Sequence, residues 1–388
     1  MIKIEKKNNC CGCQACIQIC HSKSIVLIED NEGFLYPKVN KETCTNCKNC
    51  EKVCPSINLA AERKPLNVYA AKNKNDNTRL NSSSGGIFSL FAEEVLCEGG
   101  VVFGAKFNDK WEVVHDFIEV KNDLHFLQGS KYVQSYIGDS YNQAKTFLKR
   151  GRKVLFSGTP CQIAALKLFL KKEYENLFTI DIVCHGVPSP MVWKKYILDR
   201  IANLSEVKKI NFRDKSISGW GNYYFSVRMK HEEMSILEPH FENAWMNGFL
   251  RNLYIRPSCT TCPSKCLSSK SDITIGDYWG IQDVLPKFND DKGISLVLIL
   301  TEKGRNFFSK IKVEFIETTF KDALNGNSII VSSIKLNSKN KHFYKSLNNT
   351  HKAVKIINKY SRLSIKERII AFLKGFADKC KKYYKKSS

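Results

Sequence analysis

The spacing of apolar and polar residues changes along the chain, and each change predicts a different kind of structure. Near the start, two short stretches flank a polar turn and predict a pair of strands, Ile25–Glu29 and Gly33–Val39. From residue 68, apolar runs alternate with stretches whose apolar residues recur at helical spacing. The predicted strands are Val68–Lys72, Val101–Phe107, Glu112–Val120, Lys153–Ser157 and Phe178–Val183, and the predicted helices are Ile87–Leu96, Tyr141–Lys149 and Cys161–Leu170. This alternation is typical of an α/β core.

Beyond residue 200 the pattern is mixed. Asn222–Met229 alternates like a strand, and Ile273–Ile275 and Ile294–Thr301 are apolar runs without regularly placed helices between them. The body is therefore expected to be α/β or α+β. Near the C-terminus, apolar residues recur at helical spacing among basic ones and predict a helical tail. They are Ile365, Ile369, Phe372, Leu373 and Phe376.

Two cysteine runs near the start share one spacing, C-x2-C-x2-C-x3-C, which wraps a four-iron cluster in bacterial ferredoxins. The runs are Cys10, Cys13, Cys16 and Cys20, then Cys44, Cys47, Cys50 and Cys54. In two-cluster ferredoxins the fourth cysteine of each run binds the other cluster. We expect Cys10, Cys13, Cys16 and Cys54 around one 4Fe-4S cluster, and Cys44, Cys47, Cys50 and Cys20 around another. A pair of zinc knuckles or a disulfide framework is the alternative.

The predicted fold is an N-terminal bacterial ferredoxin-like domain fused to a mixed α/β body with a C-terminal helical tail. The first domain covers residues 1–62, and a linker, Ala60–Pro65, ends on a proline. The body comprises an N-terminal part, residues 68–150, and a C-terminal part, residues 151–345. Residues 346–388 form the basic tail.

Four further cysteines follow predicted strands or stand in loops: Cys161, Cys184, Cys259 and Cys262. Strand ends in an α/β sheet share an edge, where ligands usually bind. These four predict a third 4Fe-4S cluster. Zinc bound by the C-x2-C pair with Cys266 is one alternative, and buried, unliganded Cys161 and Cys184 thiols are another. We interpret Cys11, Cys97, Cys266 and Cys380 as spare.

Three loops rich in small residues have the character of phosphate-binding turns. Asn81–Gly86 stands before a predicted helix, whose first N–H groups are free to bind an anion. Ser157–Pro160 makes a second turn of this kind, and Gly129–Tyr132 adds a cation and an aromatic ring. Each loop taken singly is equally compatible with an ordinary helix cap or connection.

Composition favours a folded protein that binds metal. Hydrophobic residues make up 43% of the chain and charged residues 26%, which is typical of a globular protein. Sixteen cysteines without a secretion signal favour metal binding in the reducing cytoplasm over disulfides. The net charge is +23, which suits an acidic partner protein, nucleic acid or an anionic membrane. Because the basic residues are not arranged with stacking aromatics, nucleic acid is disfavoured.

Several segments, in this order, resemble the flavin-containing beta subunits of coenzyme F-420-reducing hydrogenase and related dehydrogenases. Plant 7-hydroxymethyl chlorophyll reductase and bacterial proteins associated with surface polysaccharide synthesis are similar. The matching segments are the ferredoxin-like array, Ser83–Gly86, Gly129–Tyr132, Gly158–Gln162, Cys184–Ser189, Phe212–Lys215, Gly219-Trp220 and Ser271–Gly280.

The resemblance implies an oxidoreductase that carries FAD beside its 4Fe-4S clusters. It moves electrons between a carrier, an acidic ferredoxin or the deazaflavin coenzyme, and a small-molecule substrate. By this analogy the FAD site comprises Ser83, Ser84, Gly85, Gly86, Ser130, Lys131, Tyr132, Gly158, Thr159 and Pro160. The alternative is a non-catalytic electron-relay subunit of a larger redox complex. His185 is a candidate proton donor or a partner of a cluster ligand, and no catalytic residue is assigned. Homo-oligomerisation and membrane contact through the tail stay open.

Overall fold

The computed structural model describes residues 1–231 and 235–362. Its first part contains an antiparallel pair of strands, β1 (Ile25–Glu29) and β2 (Leu35–Val39), in which Ile25 faces Val39. Two one-turn helices, α1 (Ala15–Gln18) and α2 (Asn49–Lys52), each contain the third cysteine of a run and pack against each other. This small unit is the ferredoxin-like domain.

The body contains eleven further strands among the described residues. They are β3 (Asn67–Asn73), β4 (Val101–Phe107), β5 (Val113–Ile118), β6 (Val154–Gly158), β7 (Leu177–Ile182), β8 (Val207–Asp214), β9 (Tyr224–Met229), β10 (Ile236–Pro239), β11 (Ile273–Asp277), β12 (Ser295–Ile299) and β13 (Val313–Glu317).

Helices cover both faces of the body. They are α3 (Asp76–Asn81), α4 (Ile87–Cys97), α5 (Leu124–Leu127), α6 (Ser140–Lys149), α7 (Pro160–Leu170), α8 (Pro190–Arg200), α9 (Ala244–Leu250), α10 (Ile281–Val284), α11 (Glu302–Phe308), α12 (Phe320–Gly326), α13 (Asn340–Asn348) and α14 (Ala353–Ser361).

An eight-stranded mixed sheet organises the body, in the order β13-β3-β12-β11-β7-β6-β4-β5. The four strands β11, β7, β6 and β4 are parallel, and the flanking strands pair with them antiparallel. Since the carboxyl ends of β6 and β7 meet at one edge, the start of α7, which carries Cys161, and the loop that carries Cys184 leave the sheet side by side. The fold is mixed α/β, as the sequence predicts.

Both faces of this sheet are buried, which explains its apolar strands. Val101 and Phe103 of β4 point to the face covered by α6 and α7, while Val102 points to the opposite face with Leu155 of β6. Helices α4 and α11 cover that second face. Alternate side chains along one strand therefore enter two different cores.

A smaller sheet, β10-β9-β8, packs with α8, α9, α13 and α14 in a separate, aromatic-rich core. Trp193 and Trp245 lie in its centre, with ring centroids 5.1 Å apart. This region corresponds to the mixed pattern beyond residue 200.

The strands predicted for the large sheet begin and end within two residues of the observed ones, and only β13 had no counterpart in the prediction. Helix α14 is basic and amphipathic, but the five apolar positions predicted for the tail, from Ile365 to Phe376, lie outside the described residues. The division into domains stays a prediction. In the described part of the chain, every helix is too short or too polar to cross a membrane.

Candidate functional site

The two cysteine runs fold into loops of the same shape. In the first loop Gly12 and Gln14 stand between the cysteines with φ of 72° and 62°. In the second loop Asn46 and Lys48 take the same places with φ of 52° and 58°. Left-handed residues at alternate positions curl the backbone tightly. Such curled loops let three neighbouring cysteines converge on one centre, as a cluster requires.

Cysteines from both runs line a small cavity of about 20 Å³ inside the ferredoxin-like domain. Cys10, Cys13 and Cys16 come from the first loop, and Cys54 comes from the end of the second run. The backbone N–H groups of neighbouring residues point at their sulfurs, as at Cys13, Cys16 and Cys54. Hydrogen bonds of this kind stabilise cluster thiolates. The cavity gathers the four cysteines predicted for the first cluster, so these residues fit a 4Fe-4S group.

Cys20, the fourth cysteine of the first run, does not line this cavity. It packs in the same apolar cluster as Cys50, whose sulfur accepts a hydrogen bond from the Ile2 N–H at 3.2 Å. Cys44 is half-buried and Cys47 is exposed. The Asn49 N–H lowers the pKa of the Cys47 thiol. The same apolar cluster also contains Cys16 and Cys54, so the assignment of Cys20, Cys44, Cys47 and Cys50 to the second set stays a prediction from the spacing.

The four body cysteines line one cavity of about 40 Å³: Cys161, Cys184, Cys259 and Cys262. Cys266, the third ligand in the zinc alternative, lies outside this lining and donates from its thiol to the Val331 carbonyl at 3.7 Å. Among residues 1–231 and 235–362, no group of three or more His, Cys, Asp or Glu side chains is arranged to hold a single metal ion. The placement favours a site shared by all four cysteines.

Burial sets the ionisation of these thiols. It raises the pKa of Cys184 and brings that of Cys259 to about 12. Backbone N–H groups of Val187 and Ser264 oppose this effect at Cys259 and Cys262. A bound metal centre displaces thiol protons and supplies the missing positive charge. The site is therefore suited to thiolates that carry a metal cluster.

Cys11 is a functional candidate that the sequence did not identify. It lines the cavity of the body cysteines as well as that of Cys10, Cys13 and Cys16. The adjacent cysteines at positions 10 and 11 could have indicated a role for Cys11. It was set aside because only Cys10 has the two-residue spacer to Cys13 that the ferredoxin motif requires. Cys11 joins the two cysteine cavities.

A third and larger cavity of about 500 Å³ lies against the same edge of the sheet. This volume falls within the range of pockets for cofactors. Its lining includes eight of the ten residues predicted for FAD: Ser83, Ser84, Gly86, Ser130, Lys131, Tyr132, Gly158 and Thr159. Pro160 instead lines the cavity of the body cysteines. Gly85 packs against β3 and β12, where a Cβ would lie 2.5 Å from the Ala71 carbonyl oxygen.

The serine-rich turn before α4 is held by buried charged residues. The Lys215 ammonium donates to the carbonyls of Arg79, Ser84 and Lys292 at 2.6–2.9 Å. Arg79 pairs with Asp290 through two N–H groups. The Ser83 hydroxyl accepts from the Ser130 N–H at 2.7 Å, which ties this turn to the loop of Lys131. Two separately predicted loops thus form one wall.

A buried ion pair forms another part of the cavity. The Arg213 guanidinium donates to both oxygens of Asp277, at 3.0 and 3.3 Å, and Trp220 donates to Asp277 at 2.7 Å. Trp220 stacks on Trp279, with ring planes 2° apart. Arg213 also donates to the Tyr132 hydroxyl at 3.2 Å. Three motifs that are far apart in the sequence therefore assemble beside the predicted FAD loops. They are Phe212–Lys215, Gly219-Trp220 and Ser271–Gly280.

Two titratable groups in this cavity have shifted pKa values. Burial lowers the pKa of Lys131 to about 7, and its ammonium donates to the carbonyls of Phe126 and Gln128 at 2.8 Å. Burial also lowers the pKa of His115 to about 4, so this ring is neutral at pH 7. His115 contacts the Ser157 carbonyl oxygen at 2.7 Å and the Ser135 hydroxyl at 3.1 Å. Neither residue's shift is visible in the sequence.

The large cavity and the cavity of the body cysteines share a wall, the segment from Ile182 to Val187 that follows β7. Cys184 and His185 belong to this wall. The His185 Nε2 atom contacts the Asn252 Oδ1 atom at 2.6 Å, so that ring nitrogen already has a protein partner. The three cavities thus form a continuous series, joined by Cys11 and by the Ile182–Val187 wall.

Two parts of the chain match known protein families. Residues 9–58 match the 4Fe-4S dicluster domain. Residues 151–322 match the C-terminal domain of the coenzyme F420 hydrogenase/dehydrogenase beta subunit. The two matched regions contain the eight cysteines of the runs and the four body cysteines.

Two relatives extend the likeness over most of the chain. An F(420)H(2) dehydrogenase subunit, from Methanosarcina mazei, is 24% identical over 325 residues, which cover 79% of this chain and 83% of that protein. An uncharacterised protein of Methanocaldococcus jannaschii is 22% identical over 344 residues, covering 78% and 86%. Among solved structures, a chain of the F420-reducing [NiFe] hydrogenase complex from Methanosarcina barkeri is 19% identical, with a TM-score of 0.46 over 77% of this chain and 91% of that one.

Proposed function

We propose that this chain, whose residues 151–322 match the C-terminal domain of the coenzyme F420 hydrogenase/dehydrogenase beta subunit, is an FAD-dependent iron–sulfur oxidoreductase. It is an iron–sulfur redox protein related to members of that family. The proposed reaction passes electrons between a carrier and a small-molecule substrate in the cytoplasm. The observation that carries this proposal is the series of three adjoining cavities, two lined by cysteines and one by the predicted flavin loops.

In the proposed arrangement, Cys10, Cys13, Cys16 and Cys54 hold the cluster nearest the body, and Cys20, Cys44, Cys47 and Cys50 hold the outer one. Cys161, Cys184, Cys259 and Cys262 hold a third cluster. The exposure of Cys47 supports entry of electrons at the outer set, because a carrier docked there would lie close to it. Cys184 lines both the cysteine cavity and the large one, which supports transfer between these two sites.

FAD fits the large cavity by chemistry as well as by volume. Lys131 supplies positive charge toward an anionic cofactor, and the small residues around Ser83, Ser84 and Gly86 permit a close backbone approach. When bound, FAD converts one-electron transfers into a two-electron reduction of substrate. Arg213 and Asp277 would fix one wall, and apolar side chains such as Phe249 and Trp279 would exclude water.

The basic body suggests how the carrier is recognised. Residues 1–62 hold eight Lys against seven Asp or Glu, so nearly all of the net charge of +23 belongs to the rest of the chain. Such an excess steers acidic proteins and anionic cofactors toward the protein. An acidic ferredoxin is the carrier we propose, and the deazaflavin coenzyme named for the relatives is the alternative. The two carriers also imply different directions of electron transfer. Ferredoxin would deliver electrons to the outer cluster, whereas the deazaflavin coenzyme would deliver them to the flavin.

Cofactor content tests the proposal directly. The full chain, purified anaerobically, is expected to contain about twelve irons with three clusters, against about eight with two, and one FAD. Replacing Cys161 and Cys184 by Ser should remove about four irons, whereas the Cys97→Ser control, at an exposed site, should remove none. Iron content unchanged in the double variant would reject the third cluster.

Flavin distinguishes the enzyme from an electron-relay subunit. If FAD is bound, titrating the chain with reduced ferredoxin or with the reduced deazaflavin coenzyme should reduce the flavin. The flavin absorption should be bleached once enough electrons have been added to fill all the cofactors. Clusters that become reduced in a chain without flavin would instead establish the relay subunit, whose substrate site lies on another protein. Retention of the chain on an acidic ferredoxin column, lost at high salt, is expected in either case.

A further inference from the structure

Arg256 occupies the junction between the ferredoxin-like domain and the body. Its side chain is fully buried. The guanidinium donates to the carbonyls of Cys10 and Leu35 at 2.8 and 2.9 Å and to the Gln134 side-chain oxygen at 2.9 Å. One of its nitrogens, Nη2, also lies 3.6 Å from the Cys10 sulfur. One arginine thus joins the first cysteine loop, strand β2 and the body.

Aromatic rings flank Arg256. The rings of Phe34 and Tyr36 lie 5.2 and 4.5 Å from the guanidinium carbon. The cysteine loop packs closely against the guanidinium: a Cβ added to Gly12 would lie 2.7 Å from Nη1 of Arg256. Both observations describe a cation held in one position by close packing.

Arg256 differs from the other two buried arginines in its ion pairing. Arg79 pairs with Asp290 and Arg213 pairs with Asp277. Within residues 1–231 and 235–362, Arg256 forms no ion pair with a carboxylate. A buried charge without a counter-ion is strongly destabilising. When it binds a cluster, the Cys10 sulfur, 3.6 Å from Nη2 of Arg256, becomes part of an anionic group.

The backbone of Arg256 also reaches the body cysteines. Its carbonyl accepts a hydrogen bond from the Cys259 N–H at 3.0 Å, and its own N–H donates to the Val187 carbonyl at 2.9 Å. The positive charge of Arg256 favours the thiolate forms of Cys161 and Cys259, against the opposing effect of their burial. Arg256 therefore lies between the predicted inner cluster, on Cys10, Cys13, Cys16 and Cys54, and the predicted cluster of the body cysteines.

We propose that Arg256 is a redox-positioning residue that raises the reduction potential of the cluster held by Cys10, Cys13, Cys16 and Cys54. This inference rests on the proposed function, which supplies the clusters. Reduction adds one negative charge to a cluster, so a fixed cation and an N–H donor at its thiolate favour the reduced state. The electron comes from the reduced carrier, which is oxidised by one electron. No proton moves at Arg256, because a guanidinium keeps its protons at all physiological pH values.

The raised potential has a directional consequence. The outer cluster, on Cys20, Cys44, Cys47 and Cys50, has no comparable contact with Arg256 among the described residues. Electrons that enter at the outer cluster would then pass downhill to the inner one, beside the body. Arg256 would thereby bias transfer toward the flavin while it holds the two domains together.

The test is a redox titration of the full, cluster-loaded chain, followed by electron paramagnetic resonance. The variant Arg256→Met should lower the potential of one of the two ferredoxin-type signals and leave the other unchanged. Loss of a hydrogen bond to a charged group is worth on the order of tenfold in the equilibrium constant for reduction, or about 59 mV for one electron. Two ferredoxin-type signals with wild-type potentials in Arg256→Met would overturn the proposal.

Arg63→Met is the matched control. Arg63 also joins distant segments through backbone carbonyls, those of Leu267 and Ser271, but its hydrogen bonds go to no cysteine sulfur. Both potentials should be unchanged in this variant, and a shift as large as that in Arg256→Met would assign the effect to packing and overturn the proposal.

A second variant covers the case in which Arg256→Met loses the inner cluster. Arg256→Lys keeps a charge but cannot reach the Cys10 sulfur and three oxygen acceptors with one compact ammonium group, so its inner potential should fall by a smaller amount. An unchanged potential in Arg256→Lys, with Arg256→Met unable to hold the cluster, would reject redox positioning. Failure of the proposed function is read separately, as absent flavin or a missing third cluster in the wild-type chain.

Discussion

Cys11 in the first cysteine loop and Cys161 at the start of α7 line the same cavity. Cys11 follows Cys10, a predicted ligand of the inner ferredoxin-type cluster, and Cys161 is itself a predicted ligand of the third cluster. Because Cys11 lines the cavities of both sets, it lies in the gap that an electron must cross between them. The relationship makes Cys11 the connection between the ferredoxin-like domain and the body.

Replacing Cys11 by Ala should therefore slow electron transfer without removing a cluster. Iron content should stay at about twelve per chain, while the rate of flavin reduction by the reduced carrier, measured by stopped flow, should fall several-fold. Cys97→Ala, at an exposed helix end, is the control and should have the wild-type rate. If Cys11→Ala instead loses about four irons, Cys11 is a ligand and the assignment of the body set has to change.

The ion pair of Arg213 with Asp277 should be a strong determinant of stability. Asp277→Asn keeps the size of the side chain but leaves the Arg213 cation, which is 2% exposed, without a counter-charge. Breaking a buried pair in this way costs about 3–5 kcal/mol in the free energy of unfolding, measured by denaturant titration of the chain. Glu5→Gln, in the exposed Lys3–Glu5 pair, should stay within about 1 kcal/mol of wild type. A similar small effect for Asp277→Asn would contradict this account.

The sequence predicted most of the large sheet because both of its faces are buried. Its strands are apolar runs of ordinary length, such as Val101–Phe107, and end at Gly, Pro or polar residues. The smaller sheet and its helices were less predictable. In α8, which begins at Pro190, lysines and aromatic residues share most faces, so helical periodicity is weak and tertiary packing around Trp193 decides the structure.

The site was predictable to the extent that chemistry follows spacing. The cysteine runs and the loops of Ser83 and Lys131 could be read from the sequence. Cys10, Cys13, Cys16 and Cys54 line one cavity, and the two loops line another. Arg256 could not, because its role depends on contacts with residues such as Cys10 that are far away in the sequence. Cys11 was hidden by its neighbour Cys10, since only one of the two satisfies the spacer. Long-range contacts, which no local pattern encodes, account for both omissions.

His115 should make the chain sensitive to acid. Its pKa is near 4 in the folded chain because of burial and about 6.5 when unfolded. The unfolded state thus binds more protons between these values, and stability falls as the pH decreases from about 6.5 to about 4. The loss attributable to His115 is on the order of 3 kcal/mol.

The comparison with His115→Gln isolates this contribution. Denaturant titrations from pH 7 to pH 4 should give a smaller loss of stability for the variant than for wild type. Asp181, whose pKa burial raises to about 6, changes stability in the opposite direction over part of this range but is common to both proteins. Parallel pH profiles for the two proteins would show that His115 does not become protonated on unfolding.

Lys131 should make flavin binding dependent on pH. Burial brings its pKa to about 7, so the positive charge that it offers to an anionic cofactor is present below that pH and lost above it. Equilibrium binding of FAD to the flavin-free chain, followed by flavin fluorescence, should weaken as the pH rises through about 7. The variant Lys131→Met should bind FAD more weakly at pH 6 and lose most of the pH dependence.

The stability of Lys131→Met distinguishes binding from folding. A buried lysine is charged at a cost to the folded state below its unfolded pKa of about 10.4, so replacing it by the apolar Met should preserve or increase stability at pH 6 while FAD affinity falls. Lys72, whose ammonium lies 4.3 Å from the centre of the Phe288 ring and outside the lining of this cavity, provides the control. Lys72→Met should bind FAD as wild type does, with the same decline above about pH 7. An unaltered pH profile in Lys131→Met would remove Lys131 from the flavin site and direct attention to Arg213 as the cation that the cofactor meets.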